Sequence, residues 1–207
     1  MLGATEDFTQ AIRVSPKSAE GYSNRGAARK KLGDLDGALD DFNEAIRLMP
    51  NLPEAYLNRG IVRSAKGELL ESIIDYDEAI RLKQNFWEAY LNRGIAYQNI
   101  GGLDNAIADF DAVINIKPDN IIARGNRGIA RRGKGDLDRA ITDINYVIQI
   151  KPDNDLAYYN RAIAWEMKNN YQLAIDDYQK YLELGGGVRI GDQKEIENLI
   201  RKLKKEL

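Results

Sequence analysis

The sequence predicts an all-α fold, an α-solenoid of stacked antiparallel helix pairs, on three observations. The first is self-similarity. Asn24-Arg25-Gly26, Asn58-Arg59-Gly60, Asn92-Arg93-Gly94, Asn126-Arg127-Gly128 and the variant Asn160-Arg161-Ala162 each begin 34 residues after the last, a period in which two helices pair and stack on their neighbours to build a core. The second is a set of small residues on both partners of each pair: Gly26, Gly60, Gly94, Gly128 and Ala162 in the first helix, and Ala38, Ser72, Ala106, Ala140 and Ala174 in the second. Close approach of two helices explains the tolerance of glycine inside a helix. The third is punctuation. Gly33, Gly67, Gly101, Gly135 and Asn169 sit between the two helices, and Gly and Asn most readily take the left-handed conformation that ends a helix.

These marks divide the chain into units at 19–52, 53–86, 87–120, 121–154 and 155–188. Residues 1–18 match only the second half of a unit, with Ala4, Phe8, Ala11 and Pro16 in register with Ala38, Phe42, Ala45 and Pro50. That half unit suggests a piece of a longer protein. Phe42, Tyr76, Phe110, Ile144 and Tyr178 follow the small residue of the second helix by four places and fill the volume between units. Pro50, Pro118 and Pro152 stop three of the second helices; Gln84 and Gly186 take that place in the other two, so those junctions are expected to differ. After Gly185-Gly186-Gly187, read as a hinge, residues 189–207 form a capping helix with Ile196, Leu199, Ile200 and Leu203 on one face. Asp192 is its expected N-cap with Glu195 three residues on.

Composition removes most other function classes. Lys and Arg number 30 against 32 Asp and Glu, a net charge of −2 that offers no global attraction to nucleic acid or anionic lipid. Histidine and cysteine are both absent, which excludes disulfides, thiol nucleophiles, the usual zinc ligands and the commonest general base. No catalytic, metal-binding or cofactor-binding residue is assigned. No apolar run reaches the roughly 18 residues of a membrane span, and the first residues lack a signal-peptide pattern. Missing cysteine suits a reducing or an oxidising compartment; the cytoplasm is the expected location.

On Tyr22, Gly26, Gly33, Ala38, Phe42, Ala45 and Pro50 of the first full unit, and their counterparts along nearly the whole chain, the sequence resembles the tetratricopeptide repeat (TPR) family, in a bacterial-type variant marked by Asn-Arg-Gly. The resemblance implies a right-handed superhelix that binds a protein or peptide in its concave groove. Where the family usually has leucine beside the glycine, this chain has Arg25, Arg59, Arg93, Arg127 and Arg161; where it has tyrosine three residues later, Arg29, Arg63 and Arg131 stand in three units. Their small apolar neighbours place the first row between units, where arginine needs a partner. Asp41, Asp75, Asp109, Asp143 and Asp177 are the expected partners, and anion binding is the alternative.

In the family the first helix of each unit builds the groove. Helical spacing then exposes a ladder of Asn24, Asn58, Asn92, Asn126 and Asn160, with Ile61, Ile95, Ile129 and Ile163 beside it and Leu57, Leu91 and Tyr159 on the adjoining row. Asparagine offers a donor and an acceptor, so a ladder of them suits an extended peptide backbone of any sequence, as in the similar ladder of the O-linked N-acetylglucosamine transferase superhelix. Backbone bonding of the asparagines within the scaffold is the plainer alternative. The clamp with which some relatives grip chaperone tails does not match: Ser23, Ala27, Ile61 and Glu88 occupy its places. Glu20, Glu54 and Glu88 favour basic segments, and Ile122 and Leu156 replace them in the last two units. Tyr158, Tyr159, Trp165, Met167 and Tyr171 suit an interface or contact with the cap. Two other readings remain: nucleic-acid binding through Arg124, Arg127, Arg131, Arg132, Lys134 and Arg139 of the fourth unit, and end-to-end self-assembly through the half unit.

Overall fold

A computed structural model describes residues 2–207, except for the side chains of Leu2 and Ala4. The expected role of Ala4 therefore lies outside the described residues. Thirteen helices and no strand are found among the described residues. They are α1 (Leu2–Val14), α2 (Ala19–Leu32), α3 (Leu35–Leu48), α4 (Pro53–Ala65), α5 (Leu69–Leu82), α6 (Trp87–Asn99), α7 (Leu103–Ile116), α8 (Ile121–Gly133), α9 (Leu137–Ile150), α10 (Asp155–Met167), α11 (Tyr171–Glu183), α12 (Gly186–Ile190) and α13 (Gln193–Leu203). Among the described residues no helix is long and apolar enough to cross a membrane.

The chain forms two compact units, residues 1–105 and 106–207. In the first, α2 pairs with α3 and α4 with α5, while α6 packs on α5 and α1 on α2. Gly33, Gly67 and Gly101 turn the chain with φ of 82°, 83° and 80°. Gly60 shows why the first helix carries glycine: a Cβ there would lie 2.6 Å from Cε1 of the buried Tyr76 ring. α5 ends at Leu82, the place where α3 ends at Leu48, so Gln84 does as well there as Pro50. The first of the two junctions expected to differ does not, because burial of Tyr76 and Ala79 fixes the helix without a proline stop.

In the second unit α8 pairs with α9 and α10 with α11, and α9 packs on α10. Asn169 takes the left-handed turn with φ of 60°. The glycines after Leu184 are not a hinge. Gly185 turns the chain, and Gly186 and Gly187 open α12 with both residues buried, Gly186 flat against the Tyr181 ring and Gly187 against Leu182 and Gln193. α13 then lays Ile196, Ile200 and Leu203 on Ile175, Tyr178 and Tyr181 of α11. Asp192 occupies the N-cap position but makes no side-chain cap bond. Its carboxylate instead accepts the Tyr181 hydroxyl at 2.9 Å, because burial of that phenol demands an acceptor.

Candidate functional site

The first helices are set by ion pairs that repeat with the sequence. Arg25, Arg59, Arg127 and Arg161 each clasp the aspartate 16 residues on, Asp41, Asp75, Asp143 and Asp177, through Nε and Nη2, with Nη2 to Oδ1 distances of 2.6, 2.6, 2.5 and 2.7 Å. Those carboxylates are at most 7% exposed. Arg29, Arg63 and Arg131 bring a second guanidinium to Asp41, Asp75 and Asp143 at 2.9, 2.9 and 2.8 Å. Hydrogen bonds to Asp41 and Asp177 raise the pKa of Arg25 and Arg161 above the usual guanidinium value.

Sequence reading missed the third contact of each arginine. The remaining Nη1 reaches back to the second helix of the preceding pair: to Thr9 from Arg25, Asn43 from Arg59, Asp77 from Arg93, Asp111 from Arg127 and Asn145 from Arg161. In Arg25, Arg59, Arg127 and Arg161 one planar fork therefore ties a helix pair both to itself and to its predecessor, which a leucine cannot do. The signal was present as a polar column at 34-residue spacing.

The asparagines stand on the face that this clasp orients, Asn24, Asn58 and Asn92 in the first unit and Asn126 and Asn160 in the second. Asn24 is exposed and the others are half-buried. Asn58, Asn92 and Asn160 donate Nδ2 to the carbonyl four residues earlier, at 2.9, 2.7 and 2.7 Å. That bond fixes each amide and spends one of its two N–H groups. Asn58 Oδ1 also accepts Lys30 Nζ at 2.7 Å. Among the described residues Asn24 and Asn126 make no side-chain hydrogen bond. Ile61, Ile95, Ile129, Ile163, Leu91 and Tyr159 are half-buried. Leu57 is buried at 8% against Tyr76, Ala79 and Phe86. Tyr159 leans on Tyr178 and Tyr181 with ring centroids 6.1 and 5.1 Å apart.

In the second unit this face contains a cavity of about 310 Å³. α8 contributes Ile121, Ile122, Gly125, Asn126 and Ile129, α9 contributes Ile144 and Val147, and α10 contributes Leu156, Ala157 and Asn160. Lys151 and Asn154 complete the lining, Asn154 held by accepting the Ala157 amide at 3.1 Å. Gly125 and Lys151 were not singled out from sequence; Gly125 alone lacks a side chain in its repeat column, whereas Lys151 stands in a column that also holds Lys83 and Lys117. Ile163 lines a second cavity, about 500 Å³, with Met167, Lys202 and Leu203.

The basic cluster of the fourth helix pair is largely engaged within the fold. Arg127 and Arg131 hold Asp143, Arg139 lies 3.5 Å from Asp136, and Arg124 stacks on Tyr146 at 4.0 Å. Arg132 differs: burial lowers its pKa, and among the described residues its enclosed Nη1 has no hydrogen-bond partner.

Models of the TPR and tetratricopeptide repeat families match residues 28–67, 62–101, 88–120 and 126–188. No curated protein matches the sequence. Solved structures do match the fold. YrrB, a TPR protein with an unusual peptide-binding site, superposes with a TM-score of 0.81 at 20% identity, over 99% of this chain and all of its own. MamA superposes with a TM-score of 0.76 at 25% identity, over 83% of this chain and 94% of its own. A tetratricopeptide repeat protein from Parabacteroides merdae gives 0.74 at 21% identity, over 99% and 91%.

Proposed function

Because the chain belongs to the tetratricopeptide repeat family, a family of protein–protein interaction scaffolds, we propose that it holds an extended peptide segment of a partner protein on its first-helix faces. The asparagines supply hydrogen bonds to the peptide backbone, and the isoleucines beside them seat alternate side chains. One observation carries this reading. Asn126, whose amide has no hydrogen-bond partner among the described residues, lines an apolar cavity together with Ile129 and Asn160. An amide left free at the wall of such a cavity fits a ligand that brings both polar backbone and apolar side chains. YrrB, which shares the fold, has a peptide-binding site, and this agrees with the reading.

The test starts from peptides selected against the chain from a random display library. Asn58→Ala, Asn92→Ala and Asn126→Ala combined should leave the helical spectrum intact, since alanine is the better helix former. Binding of a selected peptide should weaken by about one to three orders of magnitude by calorimetry, from roughly 0.5 to 1.5 kcal/mol per lost hydrogen bond. Unchanged affinity in the triple variant removes the asparagines from the site.

A further inference from the structure

We propose that the cavity of α8, α9 and α10 is a specificity pocket for one aliphatic side chain of the bound peptide, next to an acidic residue that pairs with Lys151. This rests on the peptide-holding reading above and names what the peptide must carry.

Comparison of two helix pairs shows where the cavity comes from. In the first unit Leu57 is buried in a cluster with Tyr76, Ala79, Phe86 and Ala89. The residues 68 places on are Gly125, Ile144, Val147, Asn154 and Ala157, and all five line the cavity. Leu57 is thus the plug that Gly125 lacks, and Ile144 for Tyr76 and Asn154 for Phe86 widen the space further. Packing does not call for this glycine. A Cβ on Gly128 would meet Ile144 at 3.0 Å, but a Cβ on Gly125 would meet only Val147 Cγ2, at 3.7 Å. A mid-helix glycine weakens the helix, and here the structure returns no close helix contact for it. What it leaves is an opening.

The rim changes with the plug. Glu54 in the first unit pairs with Lys83 at 3.3 Å. Their counterparts are Ile122 and Lys151. Ile122 is 58% exposed, Leu156 opposite is 43% exposed, and among the described residues Lys151 makes no ion pair. A lysine that lines an apolar pocket, and whose counterpart Lys83 is paired with a glutamate, is complementary to a carboxylate brought from outside. The volume is at the small end for ligand sites and suits one side chain, not a cofactor. Asn126 then meets the backbone of the same peptide.

Three fluorescein-labelled peptides test this, each a Gly-Ser background with Glu-Leu-Glu, Glu-Ala-Glu or Lys-Leu-Lys at its centre, read by anisotropy. The parent should bind Glu-Leu-Glu roughly ten- to hundredfold tighter than Glu-Ala-Glu, as burial of one leucine requires. Gly125→Leu, which rebuilds the plug, should abolish that difference without lowering the melting temperature. Gly125→Ala, whose Cβ fits freely, should reduce it by less. Lys151→Glu should move the preference to Lys-Leu-Lys. A parent that fails to separate leucine from alanine, or that binds neither peptide, overturns the proposal, as does a folded Gly125→Leu that binds like the parent. Asn126→Ala separates this idea from the one beneath it. If it binds like the parent while Gly125→Leu does not, the pocket stands and the asparagine reading fails; the reverse result keeps the asparagines and removes the pocket.

Discussion

Arg59 holds Asp75 through two parallel bonds, Nε to Oδ2 at 3.1 Å and Nη2 to Oδ1 at 2.6 Å, while the aspartate side chain is only 1% exposed. A carboxylate this deep is costly to bury, and a guanidinium fixed in a matching plane offsets that cost.

Arg59→Leu restores the usual family residue but leaves Asp75 with Arg63 alone. The loss should be about 3 kcal/mol, the lower end for breaking a buried pair, because Arg63 stays. Adding Asp75→Leu to Arg59→Leu should recover much of it. Urea denaturation of the single and double variants checks this; a single variant as stable as the parent would show the pair to be superfluous.

Gly60→Ala tests the closeness of α4 and α5. The added methyl would sit 2.6 Å from Tyr76 Cε1 and 2.9 Å from Cδ1, and Tyr76 is only 1% exposed. Overpacking should exceed the roughly 1 kcal/mol that alanine adds to the helix, for a net loss of about 1 to 2 kcal/mol. By contrast Gly125→Ala should be neutral or stabilising, and the two melting curves compared side by side decide the matter.

Tyr181 makes stability at the C-terminal end fall at high pH. Burial, and then the hydrogen bond to Asp192, push its phenol up to about 12. The unfolded chain loses this proton near pH 10. Stability from the group is thus complete below about pH 10 and is lost as pH rises toward 12. Tyr178 is shifted upward as well, by burial and by its bond to Glu166. Tyr181→Phe should flatten the decline between those pH values in a series of thermal melts; an equal slope in both proteins argues against the assignment.

Removing residues 192–207 takes away Ile196, Ile200 and Leu203 and exposes Ile175, Tyr178 and Tyr181. The shortened chain should melt lower and self-associate, as terminal repeats do without a polar cap. Light scattering across a concentration series reads the second effect.

The sequence alone determined the period, the helix pairs, the turns and the arginine–aspartate partners, because each depends on neighbours at fixed spacing. Small residues facing each other, left-handed turns at Gly33 and Asn169, and a buried charge needing its opposite are local requirements that repeat every 34 residues. Tertiary structure decided what depends on which side chain is missing. The third reach of each arginine, the bond from Tyr181 to Asp192 in place of a cap, and the burial of Leu57 all follow from distances between helices. Gly125 is the clearest case. Its letter was plain in the sequence, but only the packed walls of Ile144, Val147 and Ala157 turn an absent side chain into a cavity, since a void exists only where the surrounding atoms are held from collapsing into it.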